Sequence, residues 1–301
     1  MHARMPEYAP RAAAPPSQAL LWTPAGTVDG QERSRSAALD GLYSARAANW
    51  SDGYERRVRA PRLSVVIPAL NEARNLPLVL RVIPAWVHEV IVVDGASTDG
   101  TAEAAQRALP GVQVIRQGGR GKGDALIAGF GASTGDAIVA LDADGSTDPA
   151  ELIHFMRGLA SPGVDFVKGS RRLPGAGSED LTRFRSAGNV ALTRTVNALF
   201  GTSYSDLCYG YFGFWRRHLE TLDLSCTGFE VETLIALRAA QAQLSVAEIA
   251  SVERPRVHGQ SNLRPIRDGT RVLSTILQER FRPPSPVRVD QRQSAGPPAG
   301  S

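Results

Sequence analysis

Short runs of buried-type residues alternate with longer helical segments from Leu63 onward. The runs LSVVIP, EVIVVD and VQVI are rich in β-branched residues, and the fourth run, DAIVALDAD, ends in acids. Short runs of this kind are typical of strands buried on both faces. Because helical segments separate the strands, the pattern predicts a mostly parallel sheet with helices on both faces, and hence an α/β fold.

Capping residues predict where the helices between these strands begin. Asn71 is expected to cap a first helix. The apolar residues of that helix have helical spacing: Leu76, Val79, Leu80 and Val82. Ser97 or Thr98 is expected to cap the second helix, STDGTAEAAQRAL, and GKGDALIAGFGAS forms the third. Asp148-Pro149 opens a further helix before a fifth strand, VDFVKGS.

Composition divides the chain into one folded domain and two tails. Residues 1–60 are rich in Ala, Pro, Arg and Ser with scattered aromatics, so we predict a disordered N-terminal arm. The segment 282–301 has the same character and is predicted to be a disordered C-terminal tail. The folded domain is expected to span residues 61–281.

Charge and cysteine content exclude several classes of protein. The net charge is +4 with 34 basic residues, but no long block of like charges occurs, so we expect no nucleic-acid binding. Two cysteines are too few for a disulfide scaffold and favour the cytoplasm. The N-terminus lacks a signal-peptide core, and no apolar run reaches the roughly 18 residues of a membrane span. Peripheral contact at the inner membrane face and homo-oligomerisation are left open.

Polar residues follow four of the predicted strands, where ligands bind in such sheets. These segments cover residues 68–72, 94–99, 142–146 and 168–172. The loop after the first strand contains no glycine, so it is not a dinucleotide-binding turn, and GGRGKGDA lacks the spacing of a Walker loop. A metal on carboxylates is the usual alternative for handling phosphates, and Asp142 and Asp144 suit Mg²⁺ or Mn²⁺.

Seven segments together carry a family resemblance. In chain order they read LSVVIPALNEARNL, EVIVVDGASTDGT, GKGDAL, ALDADGSTDP, KGSRR, SDLCYGYFGFWRR and RVHGQSNL. They resemble the ordered motifs of family 2 glycosyltransferases, and are most similar to the polyprenol-phosphate (dolichol-phosphate) mannosyl- and glucosyltransferases. The match runs from about Leu63 to Leu263. The resemblance implies a GT-A fold, Rossmann-like and built as a single domain.

The resemblance implies a set of residues that bind the donor, a nucleoside-diphosphate sugar. Pro68, Ala69 and Glu72 match the loop that contacts the nucleoside, and Asp94 matches the acid that binds the base. Lys122 matches a diphosphate or ribose contact. Asp99 is expected to cap a helix rather than to touch the ligand.

Metal ligands and basic contacts follow from the same match. Asp142 is implied to contact the ribose or the metal, Asp144 to bind the metal, and Ser146 to add a ligand, directly or through water. The last motif supplies further donor contacts: Arg254, His258 and Ser261. Arg171, after the fifth strand, and Arg185, ahead of a helix expected near Ser186, match positions that receive an acceptor phosphate.

The mechanism depends on the acceptor. If the acceptor is a hydroxyl group, Asp206 is a candidate general base, and Glu230 or Glu232 is the alternative. A phosphate acceptor is already an anion and needs no base.

We expect an inverting transferase that moves a hexose from a donor of the GDP-mannose or UDP-glucose type. The acceptor is a polyprenyl phosphate, or alternatively a soluble small molecule or natural-product aglycone. A non-catalytic nucleotide-sugar-binding protein is disfavoured because Asp142, Asp144 and Asp206 are all present. A sugar-1-phosphate nucleotidylyltransferase is disfavoured by the loop PALNEARN.

An amphipathic helix is predicted at PIRDGTRVLSTILQERF. Its apolar residues can share one face: Ile266, Val272, Leu273, Ile276 and Leu277. Packing of this face on the core is the default, and an interfacial helix on an anionic membrane is the alternative.

Overall fold

The computed structural model describes residues 60–260 and 263–282. Predictions for residues 1–59, for residues 283–301 and for Ser261 lie outside that part of the chain. The described strands are β1 (Leu63–Ala69), β2 (Glu89–Asp94), β3 (Gln113–Arg116), β4 (Ala137–Ala140), β5 (Phe166–Ser170), β6 (Gly177–Ser178), β7 (Phe212–Trp215), β8 (Val246–Ala250) and β9 (Val252–Glu253).

Seven of these strands form one sheet in the order β3-β2-β1-β4-β7-β5-β8, and β6 pairs with β9. The large sheet is parallel except at β7, which runs antiparallel to both β4 and β5. The prediction of a mostly parallel sheet is therefore confirmed. The antiparallel strand FGFW was not predicted.

Helices lie between the strands. They are α1 (Leu76–Leu80), α2 (Thr101–Ala108), α3 (Gly121–Ala132), α4 (Leu152–Leu159), α5 (Arg183–Phe200), α6 (Leu219–Leu222), α7 (Val231–Gln241) and α8 (Pro265–Phe281). Short 3₁₀ turns at Pro149–Glu151 and Arg216–His218 precede α4 and α6. As predicted, the first of these turns opens at Asp148, whose side chain accepts from the amide of Ala150.

Both faces of the large sheet are covered by helices. On one face, Phe155 of α4 joins a cluster that also includes residues of α1 and α2. On the other face, Phe130 of α3 packs in a cluster with residues of α7. The helices α5 and α8 form an outer layer on α7 through Val196, Leu237 and Ile276. Burying a large apolar side chain contributes about 1.5–3 kcal/mol, so these three clusters hold the helices on the sheet.

The structure corrects the predicted start of the first helix. Asn71 does not cap it, because α1 begins only at Leu76. Asn71 instead adopts a left-handed backbone conformation with φ of 56°. Its Oδ1 accepts a hydrogen bond from the amide of Thr98 at 2.9 Å. Val82 lies beyond the helix and is 57% exposed. Asn71, which was expected to cap the first helix, therefore joins the loop after β1 to the loop after β2 by a hydrogen bond.

Neither Ser97 nor Thr98 caps the second helix, since α2 begins at Thr101. Asp99 Oδ1 accepts from the amide of Thr101 at 3.1 Å, and Asp99 Oδ2 accepts from the amide of Ala73 at 3.0 Å. Several hydrogen bonds lower the pKa of Asp99 against the opposing effect of burial. This carboxylate is thus occupied by backbone groups at the start of α2.

The strand β4 is shorter than predicted and ends at Ala140. Asp142 and Asp144 therefore lie in the loop that follows β4 and not in the strand itself. Asp144 Oδ1 accepts from the amide of Ser146 at 3.0 Å, and Gly145 between them has φ of 80°. A positive φ is easily adopted by glycine, so this tight turn is set by local sequence.

Candidate functional site

Three loops meet at the carboxyl ends of β1, β2 and β4. The strand β1 pairs with β2 up to Ala69 and Asp94, and with β4 on its other side. The loop after β1 carries Glu72, and the loop after β4 carries Asp142 and Asp144. Ligands of open α/β sheets bind outside this edge, so the acids lie where a ligand is expected.

Arg256 joins the loop after β1 to the loop after β4. Its Nη2 is ion-paired with Glu72 Oε1, and its Nη1 lies 3.3 Å from Asp144 Oδ2. Glu72 is only 6% exposed, and its Oε2 accepts from Asn75 Nδ2 at 2.7 Å. Arg256 Nε also donates to the carbonyl of His258 at 2.7 Å. The Arg256 guanidinium therefore helps to hold the segment after β9 against the site, together with the backbone hydrogen bond from Val257 to Asp144 at 3.2 Å.

Sequence reasoning missed Arg256 and named Arg254 instead. The Arg254 side chain is 61% exposed and pairs with Asp148 at 3.0 Å. The two arginines stand two residues apart in a loop, where no periodicity separates inward from outward side chains. His258 contributes its carbonyl, which accepts from Asn75 and Arg256. A ligand contact by the His258 ring stays a prediction.

Lys122, Asp142 and Glu232 form a second cluster. Lys122 Nζ lies 2.7 Å from both Asp142 Oδ1 and Glu232 Oε1. Burial alone would lower the pKa of Lys122, but the two carboxylates raise it above its ordinary value, so the amine stays charged. Burial also raises the pKa of Asp142; Lys122 opposes this shift, and Asp144 and Glu232 add to it.

Glu230 lies apart from this cluster. Its Oε1 accepts from the amide of Gly228 at 3.0 Å and lies 3.1 Å from Arg271 Nη2. The sequence offered either Glu230 or Glu232 as the alternative general base to Asp206. Only Glu232 contacts Lys122, so only Glu232 is adjacent to Asp142.

The acids fit a divalent cation bound jointly with a phosphate ligand. Among residues 60–260 and 263–282, no three His, Cys, Asp or Glu side chains are grouped to hold a metal ion. Mg²⁺ commonly needs only one or two carboxylates, because phosphates and water complete its coordination. Asp142 and Asp144 meet that requirement. Ser146 is 8% exposed beside them, and its role as a ligand stays a prediction.

Residues predicted to contact the nucleoside lie side by side. Ala69 is paired with Asp94 across β1 and β2, and Pro68 precedes Ala69 on β1. The carbonyl of Ala69 accepts from the amide of Gly95 at 2.8 Å. Both carboxylate oxygens of Asp94 face the amide of Ser97 at 3.3 and 3.2 Å. These contacts fix the Asp94 carboxylate at the end of β2.

Arg171 and Asp206 form a buried bidentate pair. The Nε–Oδ2 distance is 2.7 Å and the Nη2–Oδ1 distance is 2.9 Å. Arg171 Nη1 donates to Glu253 at 3.0 Å, and its guanidinium lies 4.7 Å from the centre of the Tyr209 ring. Asn189 donates to Asp206 at 2.7 Å. Every nitrogen of the Arg171 guanidinium therefore already has an acceptor in the chain.

The environment of Asp206 keeps it ionised. Burial would raise its pKa, but Arg171 and Lys168 lower the pKa to about 2. A carboxylate with so low a pKa is a weak proton acceptor near neutral pH. The geometry thus favours a positioning role for Asp206 over the general-base role, which stays a prediction.

Arg185 does not join this pair. It lies in the first turn of α5, which begins at Arg183 and not near Ser186 as the sequence predicted. Its Nη1 is 2.9 Å from Asp180 Oδ2. The sequence grouped Arg171 and Arg185 as phosphate contacts, and the structure gives each of them a carboxylate partner.

A groove with a cavity volume of about 580 Å³ lies along the first turns of α5. Its walls combine arginines and a hydroxyl with apolar side chains: Arg172, Arg183, Arg194, Ser186, Leu181, Ala187, Val190 and Ala191. Arg172 Nη1 donates to Ser186 Oγ at 3.1 Å. The groove therefore offers positive charge beside an apolar wall.

The environment of Glu151 predicts a pH dependence of stability. Burial raises its pKa to about 7, although Ser251 and Val252 donate hydrogen bonds to it. The folded state then holds this proton more tightly than the unfolded state, so stability is lost as pH rises from about 4.5 to 7. We expect the unfolding free energy of Glu151→Gln in urea, taken relative to that of wild type, to rise by about 2 kcal/mol as the pH goes from 5 to 8. An identical difference at both pH values would contradict this.

Comparison with known proteins gives the family. The model for Glycosyl transferase family 2 matches residues 64–223. The low-salt glycan biosynthesis hexosyltransferase Agl6 of Haloferax volcanii is 34% identical over 227 residues, which cover 72% of this chain and 54% of that protein. The dolichyl-phosphate hexose transferase of the same organism is 32% identical over 228 residues, with coverage of 73% and 96%. The chain thus spans about half of the first relative and nearly all of the second.

A solved structure supports the same assignment at the level of fold. Glucosyl-3-phosphoglycerate synthase from Mycobacterium tuberculosis, in complex with Mg²⁺ and uridine-diphosphate, has a TM-score of 0.62 and 21% sequence identity to this chain. The match covers 88% of this chain and 87% of that one. The fold is therefore that of the GT-A glycosyltransferases. With the family model spanning the loops that hold Glu72, Asp94, Asp142, Asp144 and Asp206, the chain belongs to glycosyl transferase family 2.

Proposed function

We propose that this chain is an inverting hexosyltransferase that takes a hexose from a nucleoside diphosphate of the GDP-mannose or UDP-glucose type. Two chains of ion pairs carry the proposal, and together we call them the row. In the first, Arg256 bridges Glu72 and Asp144. In the second, Lys122 bridges Asp142 and Glu232. A nucleoside diphosphate needs cations for its phosphates and polar groups for its sugar. The row supplies both at the end of the sheet where such ligands bind.

The donor would lie along this row from the nucleoside to the hexose. Pro68, Ala69 and Asp94 are assigned to the nucleoside, where the Asp94 carboxylate can accept from an amide or imide N–H of the base. Arg256 is positioned beside Asp144 to neutralise phosphate charge. At the other end, the Lys122 cluster can hold sugar hydroxyls, because an amine between two carboxylates offers both donors and acceptors.

Asp142 and Asp144 would hold Mg²⁺ or Mn²⁺, with Ser146 as a further oxygen nearby. When bound, such an ion stabilises the negative charge that develops on the leaving diphosphate. Glucosyl-3-phosphoglycerate synthase was solved with Mn²⁺ as well as with Mg²⁺. Lys122 would stabilise the same charge through its position next to Asp142. Arg254, His258 and Ser261 are assigned to the donor side as well.

A lipid phosphate is the acceptor that we propose. One relative is a dolichyl-phosphate hexose transferase, which supports a polyprenyl phosphate as the acceptor class. The groove along α5 adds a physical reason, because arginines beside apolar side chains suit an amphiphilic anion. We assign Arg171 and Arg185 to the acceptor side of the site, where Asp206 and Asp180 respectively hold their guanidinium groups. A phosphate nucleophile needs no general base, which agrees with the low pKa of Asp206.

The helix α8 suits contact with a membrane surface. Its packing on the core uses Val272 and Ile276, which are 6% and 0% exposed. Three other apolar residues of the predicted stripe face outward: Ile266, Leu273 and Leu277 are 74%, 42% and 46% exposed. Phe281, at the end of the helix, is 81% exposed. No helix in the described ranges is long and apolar enough to cross a membrane. An apolar strip with arginines near it is typical of a helix that lies in the interface.

We therefore predict weak binding to anionic liposomes that falls as salt is added, since charges are screened beyond about 8 Å at physiological ionic strength. Sedimentation with vesicles of phosphatidylglycerol and phosphatidylcholine measures this. Leu277→Ser, on the outward face, should reduce the bound fraction several-fold, whereas Ser274→Ala serves as a control on the same helix. Equal sedimentation of both variants would exclude α8 as the contact.

Transfer assays decide the acceptor. The full chain is incubated with labelled UDP-glucose or GDP-mannose and Mn²⁺, together with either a polyprenyl phosphate in vesicles or the soluble 3-phosphoglycerate. We expect labelled lipid from one of the two donors and inversion at the anomeric carbon. Product only with the soluble acceptor would replace the lipid proposal with the small-molecule alternative.

A further inference from the structure

A separate pocket opens next to Lys122. Its volume is about 380 Å³, and its wall includes Lys122 but neither Asp144 nor Arg256. The lining is dominated by basic side chains and a glycine-rich turn: Arg120, Gly121, Lys122, Thr227, Gly228, Phe229, Arg264, Arg267, Asp268 and Arg271. The pocket thus adjoins the proposed sugar end of the site through Lys122.

The backbone beneath this pocket is closely packed. Gly121 has φ of 86°, and a Cβ there would collide with the carbonyl of Thr227. The same carbonyl accepts from the amide of Gly123 at 3.1 Å. Lys122 Nζ also lies 5.8 Å from the centre of the Phe229 ring. The start of α3 and the turn before α7 are therefore locked together, so the pocket has a fixed floor.

Positive charge in this pocket exceeds what the protein neutralises. Arg271 is paired with Glu230 at 3.1 Å. Within the described residues, the other three arginines, Arg120, Arg264 and Arg267, have no carboxylate within ion-pair distance. The single acid in the wall is Asp268, whose Oδ2 accepts from the backbone amide of Arg264 at 2.7 Å. Unpaired arginines that line a cavity favour a ligand with an oxyanion.

The positions of Asp144, Lys122 and the pocket relative to one another indicate which part of the donor carries that oxyanion. Asp144 is joined to Arg256, Asp142 to Lys122, and Lys122 lines the pocket. If the diphosphate lies at Asp144, the hexose lies at Lys122 and Glu232. A substituent at the far side of the hexose then enters the pocket. On a nucleotide-activated hexose, the common oxyanion at that position is a carboxylate on C6.

We propose that the pocket formed with Arg120, Arg264 and Arg267 is a subsite for an acidic group on the transferred sugar, so that the preferred donor is a nucleoside-diphosphate hexuronate. This inference rests on the proposed transferase function and replaces the neutral hexose of the proposed donor by the corresponding hexuronate. Neutral hexoses leave the three arginines without a partner, whereas a carboxylate can accept from two of them at once.

Titration calorimetry on the full chain with Mn²⁺ tests the subsite. Two pairs of donors are compared, UDP-glucuronate with UDP-glucose and GDP-mannuronate with GDP-mannose. The measured quantity is the ratio of the two dissociation constants within each pair. We expect at least a tenfold preference for the acidic donor in one pair. The double variant Arg264→Gln/Arg267→Gln should reduce that ratio at least tenfold, and Arg280→Gln, on the same helix but outside the pocket wall, should keep it.

UDP and GDP alone are titrated alongside the sugars. If one nucleotide binds but its acidic and neutral sugars bind equally, the subsite is wrong and the transferase proposal is untouched. If the preference exists but survives in the double variant, the arginines do not cause it and the subsite is again wrong. If neither nucleotide binds, the proposed function fails and the inference falls with it.

Discussion

Replacing Asp144 by asparagine is expected to abolish metal-dependent transfer while the fold persists. The change keeps the size of the side chain but removes the charge that would bind the cation. Loss of an electrostatic contact of this kind costs several kcal/mol of transition-state stabilisation. Asp144 lies in a loop after β4, with its side chain 23% exposed, so the core is not disturbed. Initial rates with saturating donor, with Mn²⁺ and with chelator, give the measurement.

Asp136→Asn is the matched control. Asp136 lies immediately before β4, at the opposite end from Asp144, and contacts Arg62. The same chemical change there should leave turnover within twofold of wild type. A rate for Asp144→Asn within about tenfold of wild type, which is roughly 1.4 kcal/mol, would rule out Asp144 as a metal ligand.

The second large effect is expected on stability, from Arg171→Met. Methionine fills similar space but leaves the Asp206 carboxylate buried without its bidentate partner. Removing one member of a buried ion pair costs about 3–5 kcal/mol, because the remaining charge is uncompensated. Urea unfolding followed by circular dichroism measures the loss. The double variant Arg171→Met/Asp206→Asn should recover part of it, since the stranded charge is gone.

Arg185→Met provides the comparison. Arg185 also has a carboxylate partner, Asp180, but this pair is partly exposed, with 23% and 42% of the two side chains accessible. Exposed pairs contribute about 0–1 kcal/mol, so Arg185→Met should be nearly neutral for unfolding. A loss at Arg171 no larger than that at Arg185 would show that the buried pair is not a stabilising contact.

The Arg171–Asp206 pair also predicts an acid dependence. The pKa of Asp206 is lowered to about 2 in the folded state. The stability from this carboxylate is therefore present above its ordinary pKa of about 4 and is lost as pH falls toward 2. Arg171→Met removes the larger of the two cationic causes of the shift and leaves Lys168, so the unfolding free energy of this variant should fall less steeply between pH 4 and pH 2.5.

Strand positions were accessible from the sequence because buried parallel strands carry unbroken apolar runs. EVIVVD is both the predicted segment and the observed β2, and LSVVIP lies within β1. The antiparallel β7 was not predicted, since FGFW is a short aromatic run that was recognised only as part of a family motif. Its insertion between β4 and β5 depends on pairing across the chain and not on local pattern.

The placement of acids at the carboxyl end of the sheet was predictable, but their partners were not. Asp142 and Asp144 follow a predicted strand, so the edge on which they lie could be inferred. Which cation faces each acid depends on loops far away in sequence, and Arg256 is more than a hundred residues from Asp144. The same limit applies to Arg171, whose motif identified it as basic but not as buried against Asp206.

Metal-dependent binding of a nucleoside-diphosphate hexose to the full chain tests the transferase assignment most directly. Thermal unfolding is followed with UDP- and GDP-hexoses, each with Mn²⁺ and with chelator, since a ligand that binds only the folded state adds RT ln(1 + [L]/Kd) to stability. A rise in midpoint of several degrees is expected for one nucleotide, only with the metal, and not in Asp144→Asn. An unchanged midpoint with every donor at millimolar concentration and Mn²⁺ would contradict the assignment.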